Sequence, residues 1–208
     1  MPTEPVEPDE TVEPVDPAIA ALLAVINRVD GPKMQDMEPA EARAFFKKMV
    51  AVDGEPTPVR SVTDRTVPGP AGDIGVRVVV PEADRHDGVL VWLHGGGWVI
   101  GDLDTSESVA RRLAALAGCV VVSVDYRLAP EVQAPHPFED AWAATRWVAD
   151  HLEELGLPAD ARVAVGGDSA GGNLAALVAV RAAESGGPAL ALQLLVYPGV
   201  DLTGGHPS

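Results

Sequence analysis

Between residues 89 and 196 short apolar runs alternate with longer segments of helical periodicity, and this alternation constrains the fold more than any other feature. The runs are 89–93, 119–124, 162–166 and 190–196, and the helical segments are about 106–117, 138–155 and 171–184. Short, fully apolar strands separated by helices predict an α/β fold whose mostly parallel sheet is covered on both faces. Two further strands, 62–67 and 74–80, flank the turn Pro68-Gly69-Pro70-Ala71-Gly72.

Two helices are expected before the first strand. Asp16 can cap the first, and Pro17 suits its opening position. Ile19, Leu22, Leu23 and Ile26 then form one apolar stripe, and Gly31-Pro32 ends it. The second runs from Pro39 to about Val52, with Phe45, Phe46 and Met49 on its apolar side. Residues 1–16 carry six acidic side chains, four prolines and no basic residue, which predicts a solvated, disordered tail. The alternative is a docking tail for a basic partner.

Composition excludes several functions. Across 208 residues, 31 acidic side chains against 15 basic ones leave a formal charge of −16. Nucleic acid and anionic membrane surfaces both need basic partners, so neither is expected. No apolar run reaches the roughly 18 residues of a membrane span. The N-terminus lacks the basic and apolar regions of a secretory signal. Cys119 is the single cysteine, so no disulfide framework and no CxxC pair exists, and a cytoplasmic setting is expected. No HExxH and no close His/Cys cluster points to a metal.

Two glycine-rich segments carry the chemistry. Gly167-Asp168-Ser169-Ala170-Gly171 reads G-x-S-x-G directly after an expected strand and directly before an expected helix. A turn this tight needs small neighbours and lifts the Ser169 hydroxyl above the sheet, where the helix N-terminus favours developing negative charge. The plainer reading is a glycine-rich strand–helix turn with a capping serine. His94-Gly95-Gly96-Gly97-Trp98 follows the strand 89–93. Three successive glycines cost backbone entropy and make sense where amides must point at a ligand, as in an oxyanion hole. A phosphate cradle is the rival, but no Gly-Lys-Ser/Thr follows and no GxGxxG occurs.

HGGGW, then Asp125-Tyr126-Arg127-Leu128-Ala129-Pro130-Glu131, then GDSAGGN, in this order and spacing, resembles the hormone-sensitive-lipase-like bacterial carboxylesterases of the α/β-hydrolase superfamily. The resemblance covers roughly residues 17–203. Beyond the tail over 1–16, it implies N-terminal cap helices over 17–58 and a partial hydrolase core over 59–208, with the C-terminal strands and helices missing. It implies Ser169 as nucleophile and Gly95, Gly96 and Ala170 as oxyanion-hole amides. His94, Gly97, Gly167, Asp168 and Gly171 would support the site. Asp168 would hold the elbow by hydrogen bonds or else touch substrate. Tyr126, Arg127 and Glu131 would brace the site. Trp98 and the helix from Asp16 to about Asp30 are either pocket neighbours or plain packing. No cofactor or metal is implied.

A serine needs a histidine base and an orienting acid, which follow it in this superfamily in the order Ser, Asp/Glu, His. Only 39 residues follow Ser169, and they hold Glu184, Asp201 and His206. Asp201 and His206 satisfy the order, although their plainer readings are a turn residue and a surface residue. His86 falls in a polar loop, His136 between two prolines and His151 late in a helix. The resemblance implies an acid and a base beyond Ser208. Two readings follow: a serine esterase acting on small-molecule esters, or a hydrolase-like protein that binds acyl ligands without turnover. The strand 190–196 would lack an outer partner, and such an edge predicts association into homo-oligomers.

Overall fold

The computed structural model describes residues 16–26, 33–51, 54–83 and 86–203. The acidic tail up to residue 15, the Gly31-Pro32 stop, Val52, His206 and the side chains of Leu22 and Ile26 lie outside the described residues. The chain divides into two compact units, Met1–Met37 and Glu38–Ser208. The first contains helix α1 (Pro17–Ile26) and a 3-10 turn, Met34–Asp36. Asp16 caps α1 as expected, its Oδ1 accepting from the Ala18 amide at 2.8 Å. The unit boundary falls inside the stretch expected as a pair of cap helices. The second of the pair, α2 (Pro39–Val50), belongs to the larger unit and packs on α3 (Leu103–Ala117).

The larger unit is built on six strands: β1 (Ser61–Gly69), β2 (Gly72–Val80), β3 (Gly88–Leu93), β4 (Val120–Asp125), β5 (Arg162–Asp168) and β6 (Leu190–Val196). Their spatial order is β1-β2-β4-β3-β5-β6. β1 and β2 form an antiparallel hairpin, and β2 joins β4 antiparallel. The other pairings are parallel. A right-handed crossover from β3 to β4 puts α3 on one face. From β4 to β5 the chain steps back the other way, so the same handedness puts α4 (His136–Asp150) on the opposite face, and α5 (Ala170–Ser185) follows it there.

Strand alternation feeds both faces. Val89, Val91 and Leu93 of β3 point at α4 and α5, among Val122, Val165, Ala144, Leu174 and Val178. Leu90 and Trp92 point at α3, against Ala110, Ala114 and Val121. Each fully buried valine or leucine contributes about 1.5 kcal/mol or more. Alanines at the helix contacts let the helices approach closely. Arg77 of β2 is a charged exception on the sheet. It is buried and pairs with Asp64 at 2.7 Å and Glu107 at 2.6 Å, tying the hairpin to α3.

Two helix ends differ from expectation, each for a local reason. α3 starts at Leu103 rather than near 106 because Asp102 and Thr105 cap reciprocally, with amide-to-side-chain bonds of 2.7 and 2.8 Å. α4 stops at Asp150 rather than running to 155. There the His151 Nδ1 donates to the Trp147 carbonyl at 2.8 Å and its ring stacks on Trp147, so the side chain takes a carbonyl of the last turn. A separate 3-10 turn, Glu153–Leu155, follows. β6 lies at the sheet edge, with Leu192 exposed. No helix among the described residues is long and apolar enough to cross a membrane.

Candidate active site

The site is assembled where β3, β4 and β5 end side by side. β5 runs into Ser169, which adopts φ 51° and ψ −116°, and α5 begins at the next residue. A non-glycine residue held there stores about 1–3 kcal/mol of strain, so its surroundings must fix it. They do so through the main chain. The Ser169 amide donates to the Val196 carbonyl at 2.9 Å, and the Ser169 carbonyl accepts from Asn173 at 3.0 Å and Gly199 at 3.2 Å. The Asn173 side-chain amide donates to the Gly199 carbonyl at 2.8 Å, tying the first turn of α5 to the loop after β6. Asn173 was visible in the motif, but its bracing role has no signal at the sequence level.

Gly171 shows why this turn tolerates nothing larger. A Cβ there would overlap the carbonyl oxygens of Leu93 and His94. The helix start and the end of β3 are therefore in main-chain contact, and the two glycine-rich segments meet.

The loop after β3 is unusual in its backbone. Gly96, Gly97 and Trp98 take φ values of 129°, 58° and 61°, three positive angles in succession. At Gly96 a Cβ would also strike the Ile100 carbonyl oxygen. The Val99 and Ile100 amides both close on the Gly96 carbonyl, at 3.1 and 3.0 Å.

One expectation needs correction. The Gly95 amide is not free for a ligand: it donates to Asp168 Oδ1 at 3.0 Å. Asp168 thus joins the serine turn to the glycine loop. No hydrogen bond of the described residues uses the amides of Gly96, Gly97 or Ala170. Burial pushes the Asp168 carboxyl above the ordinary aspartate range, against the opposing pull of the Gly95 amide.

His94 supports the loop from beneath. Its ring is buried, and its Nδ1 donates to the Gly95 carbonyl at 2.8 Å. Burial lowers its pKa, which favours the neutral ring. Tyr126 stacks on it at 4.4 Å and donates its hydroxyl to the His94 carbonyl at 2.6 Å. Burial raises the Tyr126 phenol well above its usual range, so it stays a donor. Tyr126→Phe keeps the stack and orphans a buried carbonyl. The expected cost is about 1–2 kcal/mol, or about 3–6 °C in melting temperature by thermal denaturation. An unchanged melt would remove this bond from the support of the loop.

The other two motif residues brace from the side. Arg127 grips Asp140 of α4 with Nε and Nη2, both at 2.7 Å, and adds its own amide at 3.0 Å. Asp140 is buried, and sequence reasoning gave it no role. Glu131 meets Arg43 of α2, with both carboxylate oxygens engaged at 2.8 and 2.7 Å. Arg43 holds that carboxyl down at about 2, so the pair stays ionised at any ordinary pH. Arg43, 88 residues distant in the chain, left no trace in the motif.

Besides His94, three described histidines remain as possible bases, and none of the four hydrogen-bonds the Ser169 hydroxyl. His86, expected in a polar loop, is buried instead. His136 is exposed at the start of α4, and His151 is committed to Trp147. Asp201 Oδ1 accepts from the Thr203 amide at 2.9 Å and from its hydroxyl at 2.7 Å, a local turn arrangement. Among the described residues no three His, Cys, Asp or Glu side chains converge as metal ligands.

Comparison with known proteins bears on the fold and the family. A family described as an alpha/beta hydrolase fold matches residues 90–208. Esterase LipI of Mycobacterium tuberculosis is 51% identical over 144 residues, which is 68% of this chain and 45% of that protein. Carboxylesterase NlhH of the same species is 48% identical over 160 residues, or 76% of this chain and 49% of that protein. The solved structure of a hyperthermophilic esterase from the archaeon Pyrobaculum calidifontis superposes with a TM-score of 0.85 at 40% identity. It covers 94% of this chain and 62% of the esterase. The chain spans about half the length of the curated relatives it matches. On these matches, and on the serine turn and glycine loop they share a fold with, the chain belongs to the hormone-sensitive-lipase-like branch of the α/β hydrolases.

Proposed function

We propose that this protein is a serine carboxylic-ester hydrolase for small to medium acyl esters, working through an acyl-enzyme at Ser169. The observation that carries the reading is the Gly95–Asp168 hydrogen bond, which sets the glycine loop against the strained serine turn. The Ser169 oxygen attacks the ester carbonyl, and the carbonyl oxygen becomes an oxyanion. The amides of Gly96, Gly97 and Ala170 receive that charge, with the N-terminus of α5 behind them. A base takes the serine proton and returns it to the departing alkoxide. Water then attacks the acyl-enzyme, releasing the acid and restoring the serine. The base follows Ser169 in chain order, as the superfamily pattern requires.

A second reading, an acyl-ligand binder without turnover, is favoured by one observation: among the described residues no histidine hydrogen-bonds the Ser169 hydroxyl, and the His94 and His151 rings are bonded to main-chain carbonyls.

One experiment separates the two. The protein is incubated with a fluorophosphonate, the modified peptide is located by mass spectrometry, and hydrolysis of p-nitrophenyl acetate, butyrate and octanoate is followed. Stoichiometric label at Ser169 together with turnover is the expected result. Absence of both overturns the esterase reading in favour of the binder.

A further inference from the structure

The glycine loop is held at two adjacent carbonyls. The Trp98 carbonyl accepts from the Ala129 amide at 2.8 Å, a main-chain tie to the segment after β4. The Val99 carbonyl accepts from Arg43 Nε at 2.8 Å, a tie to α2. The same guanidinium donates through Nη2 to the Ala129 carbonyl at 2.9 Å and grips Glu131 with both Nη atoms. One planar group thus joins three pieces of chain: α2, the glycine loop and the Ala129–Glu131 segment. Val99 lies in the turn that closes on Gly96, directly after the three residues of positive φ. A loop with that backbone is not the relaxed state of a free chain. External ties must select it, and Arg43 is the tie supplied by a helix outside the sheet.

We infer that Arg43 is a positioning residue that couples α2 to the oxyanion loop, so that seating of this helix sets the aim of the Gly96 and Gly97 amides. The inference rests on the esterase reading for its kinetic consequence, and on geometry alone for the coupling. Arginine is required because its fork reaches two carbonyls and a carboxylate at fixed angles. A lysine ammonium is a single point and cannot span them.

Two variants, Arg43→Met and Arg43→Lys, are compared with the unaltered protein in kinetics, inhibitor affinity and amide exchange. For p-nitrophenyl butyrate we expect kcat to fall about 10- to 100-fold in both, with KM within threefold, because displaced donors weaken the transition state and not substrate binding. Affinity for a trifluoromethyl ketone, whose adduct carries the oxyanion, should fall in step with kcat/KM. Amides of residues 96–101 should exchange faster while the strands remain protected.

A rise in KM alone, full rescue by lysine, or unchanged exchange over 96–101 would overturn the inference. If the unaltered protein turns over no ester, the esterase reading fails. Exchange then decides the coupling by itself: faster exchange over 96–101 upholds it, and unchanged exchange overturns it.

Discussion

Ser169→Ala is expected to lower kcat for p-nitrophenyl butyrate by about 10⁴- to 10⁶-fold, the loss seen when the nucleophile of a concerted serine site is removed. Steady-state kinetics and fluorophosphonate labelling read the effect together. The fold should be untouched. The structural bonds of Ser169 run through its main-chain amide and carbonyl, which alanine keeps. The positive φ is equally strained for either residue, so the melting temperature should shift by no more than a few degrees. Residual activity within tenfold of the unaltered protein would place the nucleophile elsewhere. The plainer reading of Ser169, a cap at a glycine-rich turn, would then return.

Gly171→Ala should have the largest effect on folding. Two forces oppose each other at this position. Gly171 lies in the first turn of α5, where alanine would gain about 1 kcal/mol from helix propensity. Against this, the added carbon overlaps two carbonyl oxygens, those of Leu93 and His94. Both belong to main chain fixed by the sheet or by the Tyr126 bond, so neither can swing aside as a flexible side chain would. The clash should win by a wide margin, for a net loss of about 4 kcal/mol or more. In a unit of this size that lowers the melting temperature by roughly 10 °C or prevents folding. Gly186→Ala serves as the control. Gly186 sits at the α5 C-terminus with φ 75° and open space around it, so only backbone strain of about 1 kcal/mol is added. Equal melts for the two variants would show that β3 and α5 are not in close contact.

The parts of the fold that read well in the sequence are those set by period. The alternation after residue 88 located β3 to β6 and α3 to α5 to within a few residues, because burial on two faces demands unbroken apolar strands. Helix ends read less well. Asp102 and Thr105 start α3 by a reciprocal bond that precedes its apolar stripe, and His151 ends α4 with a side chain that fits a helical pattern. At the site, the serine turn and the glycine loop stood out because tight main-chain turns dictate small residues, whereas His94 and Tyr126 entered only through the family resemblance. The Gly95 amide was misassigned since glycine runs do not say which amide is already taken, and its acceptor lies 73 positions away. Arg43 and Asp140 were invisible for the same reason. Each answers to a partner brought near by folding, and a lone arginine or aspartate on a helix looks like solvated surface.

The exchange of direction at β3 has a consequence for how such a protein can vary. Because α3 leaves toward one face and α5 toward the other, the crevice between the ends of β3 and β5 is bounded by outgoing connections and not by strands. Its floor belongs to the hydrogen-bonded ladder and is rigid. Its walls belong to loops and helix starts whose side chains carry no strand register. Where those walls are side chains, they can change without touching a ladder hydrogen bond. Where they are main chain packed on main chain, as at Gly171 against Leu93 and His94, they cannot, so the room for variation lies in the side chains of the outgoing loops.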